Sequence, residues 1–144
     1  MATMAEWSLD PRLAVDSEYL AEVESVLILG KTRAPWPWLI LVPRVPQASE
    51  WFDLPPADSQ HLLMLSLRIG AAMKAECAAD KINWGALGNV VPQLHLHVVA
   101  RHYGDPAWPG PIWGIPTPPL DAAAQSARNA QLRRILDRVL WSCA

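Results

Sequence analysis

The sequence predicts a single domain that combines β-strands with α-helices. Two short apolar runs, SVLILG at 25–30 and WLILVP at 38–43, flank a turn-forming KTRAPWP segment and indicate a hairpin of buried strands. Beyond Pro55, and again beyond residue 120, apolar residues recur every three or four positions, which predicts two amphipathic helices. With 144 residues, 51% of them hydrophobic and 18% charged, the chain can bury one ordinary core.

The first predicted helix begins after Pro55, because consecutive prolines suit a first turn and Asp58 suits the positive end of a helix dipole. Its wide apolar stripe comprises Leu62, Leu63, Leu65, Leu67, Ile69, Gly70 and Met73. The apolar positions of the C-terminal helix, which starts at about residue 120, are Leu132, Ile135, Leu136, Val139 and Leu140. Whether this second stripe packs within the chain or against another copy stays open.

Two further strands are predicted at 81–88 and 94–102, followed by an irregular loop at 103–119 that holds six prolines and three glycines. Side chains alternate along a strand, so Gln93, His95 and His97 should share one face. The intervening residues would cover the long helix from the other face. Three polar side chains in a row are costly if buried without partners. They are either ordinary polar residues of a partly exposed sheet or a functional site.

The segment GNVVPQLHLHVVAR, at 88–101, resembles the signature of the histidine triad (HIT) family of nucleotide hydrolases and transferases. The hairpin, the helix opening at DLPPADSQHLL and the Arg followed by WPG come in the family's order, so the resemblance covers residues 8–114. It implies an α+β fold with a five-stranded antiparallel sheet and a long helix, commonly as a homodimer. Residues 115–144 would then be a C-terminal extension that carries the second helix.

The resemblance also implies roles for individual residues. His95 falls on the nucleophile that attacks the α-phosphorus and forms a covalent nucleotidyl-histidine, a role that suits neutral imidazole. His97 falls on a donor to phosphate oxygens, and Asn89 on a polar phosphate contact. The implied activity is hydrolysis of a phosphoanhydride or phosphoramidate of a purine nucleotide, dinucleoside polyphosphates included. No cofactor or metal is implied for the covalent step.

Three positions depart from the family pattern: Gln93 replaces the first histidine, Val90 a hydroxyl residue, and Trp38 a histidine ahead of the second strand. Glutamine can donate a hydrogen bond but cannot carry a proton. We therefore expect leaving groups that depart as anions to be favoured over amines. The family's ribose-binding position aligns with Gly30, which leaves Thr32 as a substitute.

Other residues receive weaker expectations. Ile28 and Ile40 are apolar candidates for a base pocket, and Trp108 is expected to approach the site of a partner subunit. The remaining tryptophans are expected in the core or in interfaces, since Trp buries a large apolar area. Asp10 and Arg12 are expected to be ordinary surface residues.

Composition narrows the class of protein further. The net charge of -2 supplies no general basic surface for nucleic acid. Cys77 and Cys143, without a CxxC motif, suit reduced thiols in a cytoplasm. No apolar stretch reaches membrane-spanning length, and the N-terminus lacks the apolar region of a signal peptide. We expect a cytoplasmic protein without a membrane partner.

Two alternatives from other classes stay open. A His-x-His pair on a strand is a common pair of metal ligands, but no third ligand stands at a recognisable spacing. A non-catalytic nucleotide-binding protein would explain the loss of the first histidine. The presence of His95 argues against it, since a binding pocket needs no nucleophile.

Overall fold

The computed structural model describes residues 5–141, which form one antiparallel sheet with two long helices packed on one of its faces. The five strands are β1 Ser17–Val23, β2 Val26–Lys31, β3 Trp38–Pro43, β4 Lys81–Gly85 and β5 Leu96–Arg101. Their order in the sheet is β1-β2-β3-β5-β4. The helices are α1 Pro11–Ala14, α2 Pro56–Glu76 and α3 Ala122–Trp141, with a 3-10 turn at Trp51–Asp53. The expected five-stranded antiparallel sheet, long helix and C-terminal helix are confirmed.

The larger hydrophobic core lies between the sheet and the two long helices. Alternate residues of β5, Leu96 and Val98 among them, point into this core. Four residues of α2 and four of α3 are buried against them: Leu62, Leu65, Ile69, Met73, Leu132, Ile135, Leu136 and Val139. Each such side chain contributes about 1.5–3 kcal/mol by leaving water. The C-terminal helix therefore packs within the chain, on the same core as the rest of the domain.

The apolar stripe of α2 is narrower than its sequence pattern predicts. The pattern includes Leu63 and Leu67 in the stripe, but about half of each residue is exposed. One face of α2 meets the sheet and α3, and these two leucines lie on its flank beside Trp84 of β4. Gly70 is buried against Trp84, and a side chain does not fit there, because a Cβ atom would stand 2.5 Å from the Trp84 ring.

The first strand of the sheet has no clear alternation in its sequence, SEYLAEV. A register irregularity between Tyr19 and Ala21 leaves Leu20 out of the ladder, and such a bulge interrupts the period of two. Leu20 packs over Gly30 of β2 together with Leu132 of α3. Backbone pairing with β2 and packing of Leu20 beside α3 therefore hold β1 in the sheet.

A buried arginine organises the loop that follows β5. Arg101 is 1% exposed and makes paired hydrogen bonds to the Asp105 carboxylate, with further bonds to the Asn83 side chain and the Gly110 carbonyl. The Arg101 hydrogen bonds hold the pKa of the Asp105 carboxyl far below its usual range. The Arg101 guanidinium also lies over the ring of Trp108. This network shapes the loop that carries Trp113.

In the described part of the chain, no helix combines the length and the apolar character needed to cross a bilayer. Cys77 is a free, partly buried thiol whose pKa is raised by burial. Cys143 lies outside the described residues.

Candidate active site

A cavity of about 460 Å³ opens on the face of the sheet opposite the long helices. His95, His97 and Ile40 line it, with Asn89 and Trp113 from the flanking loops. Strand register explains the grouping, because Ile40 of β3 lies directly opposite His97 of β5. Both histidines are buried, at 6% and 7% exposure. The volume of the cavity is in the range of small-molecule binding sites.

The Nδ1 atom of His95 lies 2.6 Å from the backbone carbonyl of Gln93. A carbonyl oxygen only accepts hydrogen bonds, so Nδ1 carries the proton and donates. In the neutral ring Nε2 is then the nitrogen with a free lone pair. This is the form that a nucleophilic histidine requires.

The opposite tautomer holds at His97. The indole Nε1–H of Trp38 donates to His97 Nδ1 over 2.9 Å, so that Nδ1 is an acceptor and Nε2 carries the proton. Burial, followed by the nearby His95 and Lys31, lowers the pKa of His97 to about 3. His97 is accordingly neutral near pH 7 and presents an N–H donor.

Aromatic packing holds the two histidines in place. Their ring centroids are 4.9 Å apart and the rings meet edge to face. Trp113 contacts His97 in a similar geometry, at 5.7 Å. Gly85 lies opposite His97 on β4, and a Cβ atom there would stand 3.0 Å from the Trp113 ring. The glycine therefore leaves room for the indole beside the site.

Two cationic side chains line the cavity. Lys31 forms an ion pair with Asp16 and lies over the ring of Trp38. Arg12 binds the Asp10 carboxylate and donates to the carbonyl of Val90. Arg12 is an exposed surface residue, as expected, and it also lines the cavity. Each cation is paired with a carboxylate, but both retain further N–H donors from which an anionic ligand can accept hydrogen bonds.

Gln93, which stands in place of the first triad histidine, contacts the N-terminal segment and is not part of the cavity lining. Its Oε1 accepts a hydrogen bond from the Asp10 backbone N–H, and its Nε2 donates to the Ser8 carbonyl, both over 2.8 Å. Hydrogen bonds from Arg12 lower the pKa of the Asp10 carboxyl to about 2, so this carboxylate stays ionised. The Gln93 amide thus ties residues 8–12 to the segment before β5.

The structure brings together only part of the predicted set. Four predicted residues line the cavity: His95, His97, Asn89 and Ile40. Four others lie elsewhere, the first of them Gln93, whose side-chain amide binds the backbone of Ser8 and Asp10. Ile28 is fully buried in the helix-side core, Thr32 follows β2 outside the cavity lining, and Trp108 packs on Arg101 and Tyr103.

Sequence reasoning missed Arg12, Asp16, Lys31 and Trp113. Lys31 could have been found, because it alternates with Leu27 and Leu29 on the strand face that turns away from the helices. No local pattern distinguishes Trp113 from Trp108 in a proline-rich loop. The placement of Arg12 and Asp16 depends on the path of the N-terminal segment.

Within residues 5–141, no group of three or more His, Cys, Asp or Glu side chains is placed to hold a metal ion. His95 and His97 hence have no third protein ligand beside them in that part of the chain.

A family model described as the HIT domain matches residues 12–104. Three solved histidine triad proteins are similar over nearly their whole length. One from Marinobacter aquaeolei shares 41% identity over 94% of this chain and 99% of its own, with a TM-score of 0.87. One from Bradyrhizobium japonicum shares 40% identity over 90% of this chain and 98% of its own, with a TM-score of 0.84. A third, from Sinorhizobium meliloti, shares 38% identity over 89% of this chain and 96% of its own, with a TM-score of 0.83.

A search of curated proteins produced no significant match. The family match and the three structures nevertheless agree with the cavity geometry, and the chain belongs to the histidine triad family. This family includes nucleotide hydrolases and transferases as well as members without catalytic activity.

Proposed function

We propose that this protein is a nucleotide phosphohydrolase that acts at the α-phosphate of a nucleoside phosphoanhydride or phosphoramidate. The observation that carries the proposal is the hydrogen bond from His95 Nδ1 to the Gln93 carbonyl. This bond leaves Nε2 of the buried His95 ring with a free lone pair, so that Nε2 is the reactive nitrogen. The ring lines a cavity that Lys31 and Arg12 also line.

In the proposed reaction, Nε2 of His95 attacks the α-phosphorus, and the bond from phosphorus to the leaving group breaks. The electron pair of that bond departs with the leaving group. Water then attacks the nucleotidyl-histidine, the P–N bond returns its electrons to Nε2, and the nucleoside monophosphate is released. The oxygen of the attacking water stays on the phosphorus, and the proton that the water loses passes to solvent.

The other polar groups of the cavity stabilise charge on the phosphoryl oxygens. His97 offers its Nε2–H, Asn89 its side-chain amide, and Lys31 and Arg12 positive charge. Donors that are already oriented toward the transferring group usually supply the largest share of catalysis in such reactions. The four groups come from separate parts of the chain and line one cavity.

The same cavity suits a nucleoside. Ile40, Leu13 and Leu87 supply apolar surface for a purine base. Asp16 is a carboxylate that can accept hydrogen bonds from ribose hydroxyls, and it lines the cavity, whereas Thr32 does not. Dinucleoside polyphosphates are one member of this substrate class.

A non-catalytic nucleotide-binding protein is the second candidate, and one observation favours it. Both polar atoms of Gln93 bind the N-terminal segment, and the residue is not part of the cavity lining, so the first position of the triad does not serve a leaving group there. Such a protein would bind nucleotides in the same cavity without turnover.

We also propose that the protein is a homodimer. Strand β4 is an edge of the sheet, and Trp84, Leu63 and Leu67 form an exposed apolar surface beside it. Edge strands and contiguous apolar surfaces are ordinarily covered by a partner.

The deciding experiment incubates the protein with a panel of nucleoside polyphosphates and phosphoramidates and follows both product release and protein mass. The expected result is a transient mass increase of one nucleoside monophosphate, located on His95 by peptide analysis. His95→Gln is the control, because it keeps a polar side chain of similar size. Binding without adduct or product would favour the second candidate.

A further inference from the structure

Trp38 and His97 form a buried pair across neighbouring strands. Trp38 lies on β3 and is 8% exposed, and its Nε1–H donates to His97 Nδ1 over 2.9 Å. The rings meet edge to face with centroids 5.4 Å apart. An indole N–H can only donate, so the bond exists only while His97 Nδ1 has no proton.

We propose that Trp38 is a positioning residue that holds His97 as the neutral Nε2–H tautomer, so that His97 serves as a fixed donor and never as a proton carrier. This inference rests on the proposed function. It deepens that function by limiting the substrate class to nucleotides whose leaving group departs as an anion.

Protonation of His97 would set two donors against each other. An Nδ1–H would face the indole N–H, and both groups would lose their hydrogen bond in a buried place. A flip of the ring would also break the bond. The pair thus favours one tautomer and opposes the charged ring.

The groups around His97 act in the same direction. His95, in the segment just before β5, meets it edge to face, and Lys31 approaches from β2. Asp16 is the nearby carboxylate of the cavity, but it is paired with Lys31. The neighbours from β3, β4 and the loop, which are Ile40, Gly85 and Trp113, do not titrate. The lowered pKa of His97 agrees with this arrangement.

The consequence concerns the leaving group. When His95 attacks, the breaking bond must release its electrons without a proton from His97. A phosphate chain accepts them as an anion, whereas an amine must be protonated as it leaves. Phosphoanhydrides are therefore the expected substrates, and phosphoramidates should react more slowly.

The test compares wild type with Trp38→Phe, which keeps an aromatic ring and removes the donor. Imidazole ¹⁵N NMR of the ligand-free protein reports the tautomer and charge of His97 between pH 5 and 8. Wild type should show Nε2–H throughout this range. Trp38→Phe should show mixed tautomers, and its ratio of kcat/KM for polyphosphate over phosphoramidate should fall by up to roughly 10²-fold.

Trp36→Phe is the matched control. Trp36 is buried in the same hydrophobic cluster as Trp38, and its Nε1 has no hydrogen-bond partner in the described part of the chain. This control should keep the wild-type tautomer and the wild-type substrate ratio.

A wild-type His97 with Nδ1–H, or one that titrates between pH 5 and 8, would overturn the inference without any variant. An unchanged tautomer and substrate ratio in Trp38→Phe would overturn it as well. If wild type shows the Nε2–H tautomer but hydrolyses neither substrate, the proposed function fails, and the tautomer assignment alone is supported.

Discussion

His95 and His97 lie edge to face with ring centroids 4.9 Å apart, and hydrogen bonds give their Nδ1 atoms opposite roles. Nδ1 of His95 donates to a carbonyl, whereas Nδ1 of His97 accepts from an indole. In their neutral forms, the first ring has a free lone pair at Nε2 and the second has an N–H there. The two histidines are thus not interchangeable, and their variants should behave differently.

His95→Ala should abolish turnover, because it removes the nucleophile, whereas His97→Ala should lower kcat by about 10²–10³-fold, the usual effect of losing one donor to the transition state. Steady-state kinetics with a nucleoside polyphosphate measures both effects. Thermal unfolding of each variant separates loss of chemistry from loss of fold. Equal activity in wild type and His95→Ala would reject the nucleophile assignment.

A rescue experiment sharpens this prediction. His95→Gly leaves space for a free imidazole, which should restore part of the activity in a concentration-dependent manner. His97→Gly with imidazole is the comparison. This variant lacks a hydrogen-bond donor that Trp38 orients, and not the nucleophile, so imidazole should restore less of its activity. No rescue of a folded His95→Gly protein would count against a missing ring as the cause.

Gln93→Ala should release the N-terminal segment from the site. The variant loses the bonds to the Asp10 N–H and the Ser8 carbonyl, each worth about 0.5–1.5 kcal/mol. KM should rise, because residues 8–12 carry Arg12 to the cavity. Hydrogen exchange at Asp10 reports the release directly. Unchanged exchange would show that other contacts hold this segment.

Gln93→His tests the sequence-based expectation about leaving groups. If the residue limits proton transfer, the histidine should improve kcat/KM for phosphoramidates more than for polyphosphates, by up to roughly 10²-fold. The contacts of Gln93 with residues 8–12 instead favour a similar change for both substrates. An equal change would assign Gln93 a structural role.

Folding stability should rise with pH between about pH 3 and 6.5 through His97. Its folded pKa of about 3 lies below the unfolded value of 6.5, so the unfolded state binds more protons in this window. The contribution approaches about 1.4 kcal/mol for each pH unit. Urea unfolding of wild type and His97→Asn at pH 5 and 7 checks it. The variant should show the smaller difference, and equal differences would contradict the lowered pKa.

Arg101→Ala should destabilise the fold by about 3–5 kcal/mol, the usual result of breaking a buried ion pair. The substitution leaves the Asp105 carboxylate, 8% exposed, without its guanidinium. Arg133→Ala is the control, since Arg133 pairs with Glu18 at the surface and should cost less than about 1 kcal/mol. Urea unfolding measures both. A similar loss of unfolding free energy in the two variants would show that the buried Arg101 network contributes no more to stability than a surface ion pair.

Light scattering at micromolar concentration should report a dimer. Leu67→Glu places a charge in the exposed apolar surface beside β4 and should shift the protein toward the monomer without loss of fold. Val15→Glu is a control, because Val15 is exposed far from that surface. A monomeric wild type would remove the dimer proposal and any role of Trp108 in a neighbouring site.

Local patterns predicted the main elements of this fold and part of its site. The alternation in QLHLHVV placed His95 and His97 on one side and Leu94, Leu96 and Val98 on the other, and in the structure the two histidines line the cavity while the three apolar residues lie in the helix-side core. The helical periods after Pro55 and residue 120 predicted α2 and α3. Strand β1 was not predicted, because its bulge interrupts the period of two in the sequence.

The sequence by itself determined the strand and helix periods and the shared face of His95 and His97, because alternation and helical spacing are local properties of the chain. Only the tertiary structure decided that Trp38 donates to His97 across 59 residues and that Gln93 binds Asp10 across 83. The packing of the sheet and the N-terminal segment brings these partners together. No local pattern contains that information, although it determines the tautomer of His97 and the role of Gln93.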